Sequence, residues 1–413
     1  MTNASPQTTP LAWWHRPHLR AILALALLLR LLIVWFVIAR FPHNWFYTRG
    51  IELGTLAQSL GAGQGLSSPF GGSTGPTALL APGYPAVIAL FFLIFGSFTV
   101  AASVAVMGTQ VLFTALTVLL IMHVARQLFG IHAANLGGVL WTLSLPLIWM
   151  PTIFWETCLS TLLLLGTIAL ALRCEREPLP LLWALMGAYC GLAALVNPAL
   201  LPALLVVLGW AAWQNRKTLW YLPVALLVLS GVFAPWPIRN ARLLHAFIPL
   251  RSTVGFELWV GNRAGATGFL DESQFPLFNR WEYDQYVSKG EVAYMRDKSA
   301  LARAYMRAHP GTFLRLSIVR FVRFWTGAGN QDGSPVFVLH AVLTTSLGWM
   351  GIWRLIRRHR LSVALLFLLP LIVFPLPYYI THAEFRYRLV VDPLLTILAV
   401  YALTDYRDPA TKR

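Results

Sequence analysis

The chain is predicted to be an all-α, polytopic membrane protein, and three observations predict it. Hydrophobic residues make up 57% of its 413 positions and charged residues only 12%, with a mean hydropathy of +0.63. A soluble domain is about 25% charged. Runs such as Ala21–Ala39, Ser103–Ala125 and Leu361–Ile380 are long enough to cross a hydrocarbon core about 30 Å thick. In lipid a backbone polar group finds its partner only within its own segment, so such runs must be helices. Clusters of basic residues alternate between the ends of successive apolar runs, as the positive-inside rule requires.

The elements follow in order. His15, Arg16 and Arg20 mark residues 1–20 as cytoplasmic. The first span, Ala21–Ala39, reads as an uncleaved anchor, because no cleavage site followed by a mature domain is present. Arg30 within it is expected to snorkel inward. On the outer side, residues 41–82 form a glycine-rich loop too long for a simple turn. Ile51–Leu60 places Leu53, Leu56 and Leu60 on one face and Glu52 off it, the pattern of a short interfacial helix ended by Gly61 and Gly63. Gly83–Phe95 is apolar but short for a crossing. It reads as re-entrant or interfacial, with a short full span as the alternative.

Spans are expected near 99–124, 131–150, 155–172, 182–196, 199–213 and 219–236, completing an N-terminal membrane module over 21–236. They leave Arg126, Arg173/Arg176 and Arg216/Lys217 inside, and return 151–156, 197–198 and 235–240 to the face of the Glu52 loop. Residues 237–333 form an outer region. Its hydrophilic part, about 240–312, carries seven acids between Glu257 and Asp297 and suffices for a lid of a few helices. Phe313–Trp325, interrupted by Arg315, Arg320 and Arg323, is placed at the interface. Spans near 335–355, 361–380 and 389–404 form a C-terminal module over 334–404, with 405–413 as a cytoplasmic tail. The total is about ten spans with both ends inside.

The net charge of +16 does not point to nucleic acid, because no basic stripe interleaves with aromatics on a soluble module. Span ends and a phosphate-bearing lipid account for the excess. Cys158, Cys174 and Cys190 show neither metal spacing nor a disulfide framework. The 17 tryptophans suit interface anchors and core.

Acid is scarce. The first 250 residues hold only Glu52, Glu156, Glu175 and Glu177, the last two in a charged loop patch, Arg173–Glu177. Glu52 and Glu156 lie at the edge of membrane-grade sequence, where a carboxylate drawn to the bilayer centre costs about 2.5–3.5 kcal/mol. A chain this poor in acid is expected to use the two it keeps there.

Glu52-Leu53-Gly54, Gly63-Gln64-Gly65, Thr74-Gly75-Pro76-Thr77 and Ala81-Pro82-Gly83-Tyr84-Pro85 succeed one another after the first span. Phe154-Trp155-Glu156 follows a later outer turn, and Pro235-Trp236-Pro237-Ile238-Arg239-Asn240 closes a span. Pro249–Ser252, Glu257–Asn262 and His382–Pro393 come after. This layout resembles the GT-C membrane glycosyltransferases, in the family 39-like branch of protein mannosyltransferases and lipid A aminoarabinose transferases. The likeness covers nearly the whole chain and is strongest over 45–86 and 235–262. The family's acid after the first span is often aspartate; Glu52 reaches one methylene further.

The resemblance implies an inverting glycosyltransferase of the bacterial inner membrane. It would take a sugar from a polyprenyl-phosphate carrier to an acceptor at the outer face. Such a transfer needs a base for the acceptor and cations for the departing phosphate. Glu52 is the expected base, with a capping role or a salt bridge to Arg49 as its bland alternative. Glu156 would hold the acceptor or a cation, or else serve the N-terminus of its own helix. Arg239, Arg242, Arg251, Arg386 and Arg388 are the candidate phosphate ligands, each alternatively a snorkelling interface residue, with His382 beside them. Tyr47 (with Trp45 and Phe46), Tyr84 and Asn262 are candidate sugar or acceptor contacts. Some superfamily relatives place a divalent cation between loop carboxylates and phosphate; no compact ligand cluster here calls for one, and no other cofactor is expected. The sugar stays open, as does the acceptor: protein, lipid or glycan. Two rival readings are a lipid or glycan transporter or flippase, weakened by the lack of an inverted repeat, and an envelope glycan polymerase.

Overall fold

The computed structural model describes residues 17–41, 51–177, 179–214, 216–328 and 334–404. Helices α1 (Pro17–Arg40), α2 (Ile51–Gly61), α3 (Gly83–Phe95), α4 (Val100–Leu143), α5 (Leu145–Trp149) and α6 (Thr157–Arg176) come first. They continue through α7 (Pro180–Val196), α8 (Leu201–Gln214), α9 (Leu222–Phe233) and α10 (Pro235–Leu244). Next come α11 (Val254–Gly261), α12 (Arg280–Lys289), α13 (Glu291–Ala308) and α14 (Pro310–Thr326). Then come α15 (Pro335–Arg357), α16 (Leu361–Val373), α17 (Leu376–Ile380), α18 (Phe385–Leu389) and α19 (Asp392–Leu403). Among the described residues, β structure is limited to one bridge between Ser67 and Pro76.

Among the described residues, six helices are long and apolar enough to cross a membrane: Pro17–Arg40, Val100–Leu143, Thr157–Arg176, Leu219–Leu244, Pro335–Arg357 and Leu361–Ile380. Four more, 83–95, 180–196, 198–214 and 392–403, are apolar but shorter. Length alone therefore does not yield the ten spans expected. Part of the difference lies in α4, whose Gly130 has φ 88°, outside any helix. A Cβ on Gly137 would lie 3.1 Å from Ile121, and one on Gly138 would lie 2.7 Å from Met122. Residues sixteen apart in a straight helix are about 24 Å apart, so the chain doubles back at Gly130 into a hairpin.

Arg30 does not snorkel. It is buried between α1 and the returning limb of that hairpin and donates to the carbonyls of Trp141 (3.1 Å), Thr142 (3.4 Å) and Ala26 (3.2 Å). Leu143 ends the limb, so the guanidinium sits where helix carbonyls lack partners and a cation is favoured. Elsewhere close packing rests on small residues. A Cβ on Gly187 would lie 2.1 Å from the Ala225 carbonyl oxygen and one on Gly191 would lie 2.8 Å from Val232, which brings α7 and α9 into backbone contact. The expected span 361–380 is interrupted: Pro370 lies inside α16, and α17 begins after Pro375.

Two apolar cores result. One joins α1, the α4 hairpin, α6, α7, α8, α16 and α19. The other gathers α2, α3, the start of α4, the 66–80 loop and α11–α13. The interfacial helix predicted around Glu52 is therefore not peripheral: α2 buries Glu52, Leu53, Leu56 and Ala57 within the second core. α14 carries Leu314, Ile318, Phe321 and Val322 exposed along one face and Leu316, Arg320 and Phe324 buried on another. That is the amphipathic pattern of an interface helix.

Residues between 239 and 291 fasten the first loop. Arg239 donates to the carbonyls of Thr77 (2.6 Å) and Leu66 (2.7 Å), and Ser252 N–H donates to Ala78 O (3.0 Å). Glu291 accepts from the Thr77 hydroxyl, from Ala78 N–H (2.8 Å) and from the Tyr286 hydroxyl (2.8 Å). A loop of 20 or so residues loses much conformational entropy on ordering, and these bonds hold it as a wall.

Candidate active site

Between the two cores lies a cavity of about 860 Å³. Its walls come from α2, the 70–80 segment, the 146–156 turn, the 197–205 turn, the 250–258 segment, the 270–278 loop and the 377–389 stretch. Five carboxylates line it, Glu52, Glu156, Glu257, Glu272 and Glu384, with Arg251, Arg386 and His382 opposing them.

Glu52 enters at the start of α2, directly after Ile51, whose φ is 49°. A β-branched residue in that region is a true outlier, and strain of this kind costs on the order of 1–3 kcal/mol. Glu52 is 4% exposed, and its Oε2 has no hydrogen-bond partner among the described residues. Burial pushes its carboxyl up to about 7, with a hydrogen bond from its own backbone N–H, Arg386 and Arg251 opposing and Glu257 reinforcing. Glu156 precedes α6, but its side chain does not cap that helix, so it is left to the cavity.

The 381–389 stretch contributes most of the polar groups. Glu384 is extended, at φ −111° and ψ 151°, so alternation turns His382 and Glu384 to one side and buried Ala383 to the other. α18 then presents Arg386 and Tyr387. Arg386 Nε is bonded to Glu384, its Nη2 donates to Tyr387 Oη at 3.2 Å, and its guanidinium lies 4.1 Å from the Trp155 ring centroid. His382 Nδ1 is 2.9 Å from Glu257 Oε2, and Nε2 is 2.8 Å from Tyr387 Oη. Tyr387 stacks on Tyr378, centroids 4.3 Å apart. Burial raises the Glu257 carboxyl, but His382, Arg251 and Arg386 together bring it below its ordinary value. Burial drives the Tyr387 phenol well above its own. Arg251 gives its Nε to Leu79 O at 3.0 Å, which leaves its terminal nitrogens for the cavity.

Of the residues singled out in the sequence, the cavity thus gathers Glu52, Glu156, Arg251, His382 and Arg386. The others lie elsewhere. Arg239 is spent on the first loop, and Arg242 is exposed on α10. Arg388 is buried and bonded to Asp392, Thr344, Thr345 and the Ala341 carbonyl. Asn262 donates to the Leu258 and Ile380 carbonyls and accepts from Arg320. Tyr84 is buried in the second core and does not line the cavity. Tyr47, with Trp45, Phe46 and Arg49, falls outside the described residues. Missed in the sequence were Glu257, Glu272, Glu384, Tyr378, Tyr387 and the Trp155 platform. The alternation of Glu384 with His382 and Arg386, both already singled out, was the available signal for Glu384. Among the described residues no group of three His, Cys, Asp or Glu is arranged to hold a metal ion.

No protein-family model matches the sequence, and no curated protein matches it. Solved structures do. A crystal structure of the Archaeoglobus fulgidus oligosaccharyltransferase, in complex with Zn and sulfate, superposes with a TM-score of 0.55 at 12% identity, over 94% of this chain and 48% of that one. The archaeal oligosaccharyltransferase AglB from the same organism, with an inhibitory peptide and a dolichol-phosphate, gives 0.53 at 14%, over 95% and 50%. ArnT from Cupriavidus metallidurans, bound to undecaprenyl phosphate, gives 0.42 at 15%, over 95% and 78%. The chain spans about half the length of the oligosaccharyltransferases it matches. At these identities the likeness concerns architecture: the chain shares its fold with about half of those oligosaccharyltransferases.

Proposed function

We propose that the chain is an inverting glycosyltransferase that moves a sugar from a polyprenyl-phosphate donor to an acceptor, with Glu52 as general base. The observation that carries this is the buried Glu52 carboxyl, poised near 7 with an Oε2 that has no hydrogen-bond partner among the described residues, in the same cavity as Arg251 and Arg386. A base works best when its pKa is close to ambient pH. The donor class rests on the fold neighbour solved with dolichol-phosphate.

The acceptor's nucleophilic atom attacks the anomeric carbon, and its proton passes to Glu52 Oε2. The bond from that carbon to the phosphate oxygen breaks, and its electron pair leaves with the polyprenyl phosphate. Arg386, fixed by Glu384 and Trp155, and Arg251, fixed by the Leu79 carbonyl, meet the growing phosphate charge with pre-aimed N–H groups. Glu156 and Glu272 line the space left for sugar and acceptor.

The same reading places about ten crossings in the bilayer, counting the α4 hairpin twice, taking the shorter apolar helices 180–196, 198–214 and 392–403 as tilted or thinned spans, and leaving 83–95 re-entrant. It puts both ends in the cytoplasm and the cavity at the outer face of a bacterial inner membrane, divided into the modules 21–236, 237–333 and 334–404. Purified protein incubated with a panel of radiolabelled polyprenyl-phosphate sugars should consume one of them. Consumption should vanish in Glu52→Gln. If lipid crosses the membrane with its sugar intact, the flippase reading replaces this one.

A further inference from the structure

Resting on that donor class, the geometry points to a second proton path at the opposite end of the reaction. We propose that Glu257, His382 and Tyr387 form a relay in which Tyr387 touches the phosphate and delivers a proton to it as it departs.

The hydrogen-bond valences define the relay. A guanidinium can only donate, so Tyr387 Oη accepts from Arg386 Nη2 at 3.2 Å. The phenol keeps one O–H to give. His382 Nε2 stands 2.8 Å from the same oxygen, and its Nδ1 faces the Glu257 carboxylate at 2.9 Å. The pair meets at ion-pair distance without hydrogen-bond alignment, and the negative charge so close by favours a proton on Nδ1 by attraction. With Nε2 bare, Tyr387 must spend its O–H on the imidazole. With Nε2 protonated, the imidazolium donates to Oη, and the phenol O–H is turned out toward the cavity beside Arg386. One proton on His382 thus switches Tyr387 from a closed partner to an open donor.

The groups around His382 fit this role from each side. α11 supplies Glu257; the stretch entering α18 supplies Glu384, whose Oε1 is 3.9 Å from Nε2; α18 supplies Arg386 and Tyr387. α17 supplies Tyr378, stacked on Tyr387. Arg251 bears on Glu257 from the preceding segment. From α14, Arg320 is turned away, to the carbonyls of Gly261 and Tyr379 and to Asn262.

The chemistry asks for such a group. The donor is a phosphodiester with one negative charge, while the departing monoester gains a second ionisation with a pKa of about 6. As the bond to the anomeric carbon breaks, the Tyr387 proton moves to the phosphate oxygen, and the His382 Nε2 proton refills Tyr387. The relay ends as neutral imidazole with Nδ1–H on Glu257, and Glu52 holds the acceptor's proton. Exchange of one proton at each end with solvent resets the enzyme.

The test is calorimetric titration of the full chain with farnesyl phosphate, a monoester, and with its methyl diester, in two buffers of different ionisation heat at about pH 7. The wild type should prefer the monoester and take up protons on binding it. Tyr387→Phe, which keeps the ring on Tyr378, should lose about tenfold of that preference, the worth of one hydrogen bond, and most of the uptake. His382→Gln, which keeps a donor beside Tyr387 but cannot titrate, should abolish the uptake even if affinity survives. Unchanged uptake and preference in both variants would overturn the relay while leaving the donor class standing. Failure of the wild type to bind the monoester sinks the donor class and the relay together.

Discussion

Glu52 and Glu291 are two buried carboxylates, 4% and 6% exposed, and their surroundings are opposite. Glu291 receives a hydroxyl and an N–H from the first loop and a phenol from α12. Glu52 has one oxygen with no donor among the described residues and follows a strained residue. A carboxylate supplied with donors is a fastener, since charge-assisted bonds return the cost of burying it. One denied donors stays reactive and costs stability. The same contrast separates Arg386, which faces the cavity, from Arg388 two positions on, whose bonds all go to the fold.

Four experiments would sharpen or break this division. Glu52→Gln should lower turnover by roughly 10²–10⁴-fold, the usual worth of a general base. It should also stabilise the protein in alkali. The folded carboxyl titrates at about 7 against 4.5 ordinarily, so between those values the folded state binds the extra proton and stability falls as pH rises. The loss is complete above 7 and amounts to roughly 3 kcal/mol. Thermal melts at about pH 8 should therefore show a higher Tm for Glu52→Gln and near-equality at about pH 4.5; a lower Tm in alkali would make Glu52 a fastener after all.

Glu291→Ala comes next. It strands Thr77, Tyr286 and the Ala78 N–H without their acceptor, and about 3 kcal/mol of stability should go with it, seen as a lower melting temperature and faster proteolysis within 66–80. Arg386→Lys should cost about tenfold in kcat/KM with little change in Tm, because an ammonium cannot hold Glu384, Tyr387 and a phosphate at once. Equal loss of Tm would move Arg386 to the structural side. Arg242→Gln should change neither quantity by more than about 0.5 kcal/mol; a measurable loss of turnover would mean the donor contacts α10.

The helices were largely legible before any coordinates, because apolar runs and breakers are local properties. Gly83–Phe95 was read to the residue, and Gly130 separated two expected spans. Glu52 and Glu156 were legible as site candidates for a related reason: acid at a membrane edge is costly wherever it occurs, so its presence is informative. Arginine gave no such signal. It is tolerated at interfaces, in buried braces and in cavities alike, and Arg239, Arg251, Arg386 and Arg388 differ only in what distant segments bring beside them.

Composition and periodicity, then, were enough to determine that this chain is a bundle of membrane helices with a first loop that carries a lone acid. They act over a few residues, and a helix needs no more than that. Which polar groups face one another was decided only by the tertiary structure. Glu257 meets His382, and Glu291 meets Thr77, across gaps of more than a hundred residues, and a hydrogen bond's partner depends on positions in space that no local pattern encodes.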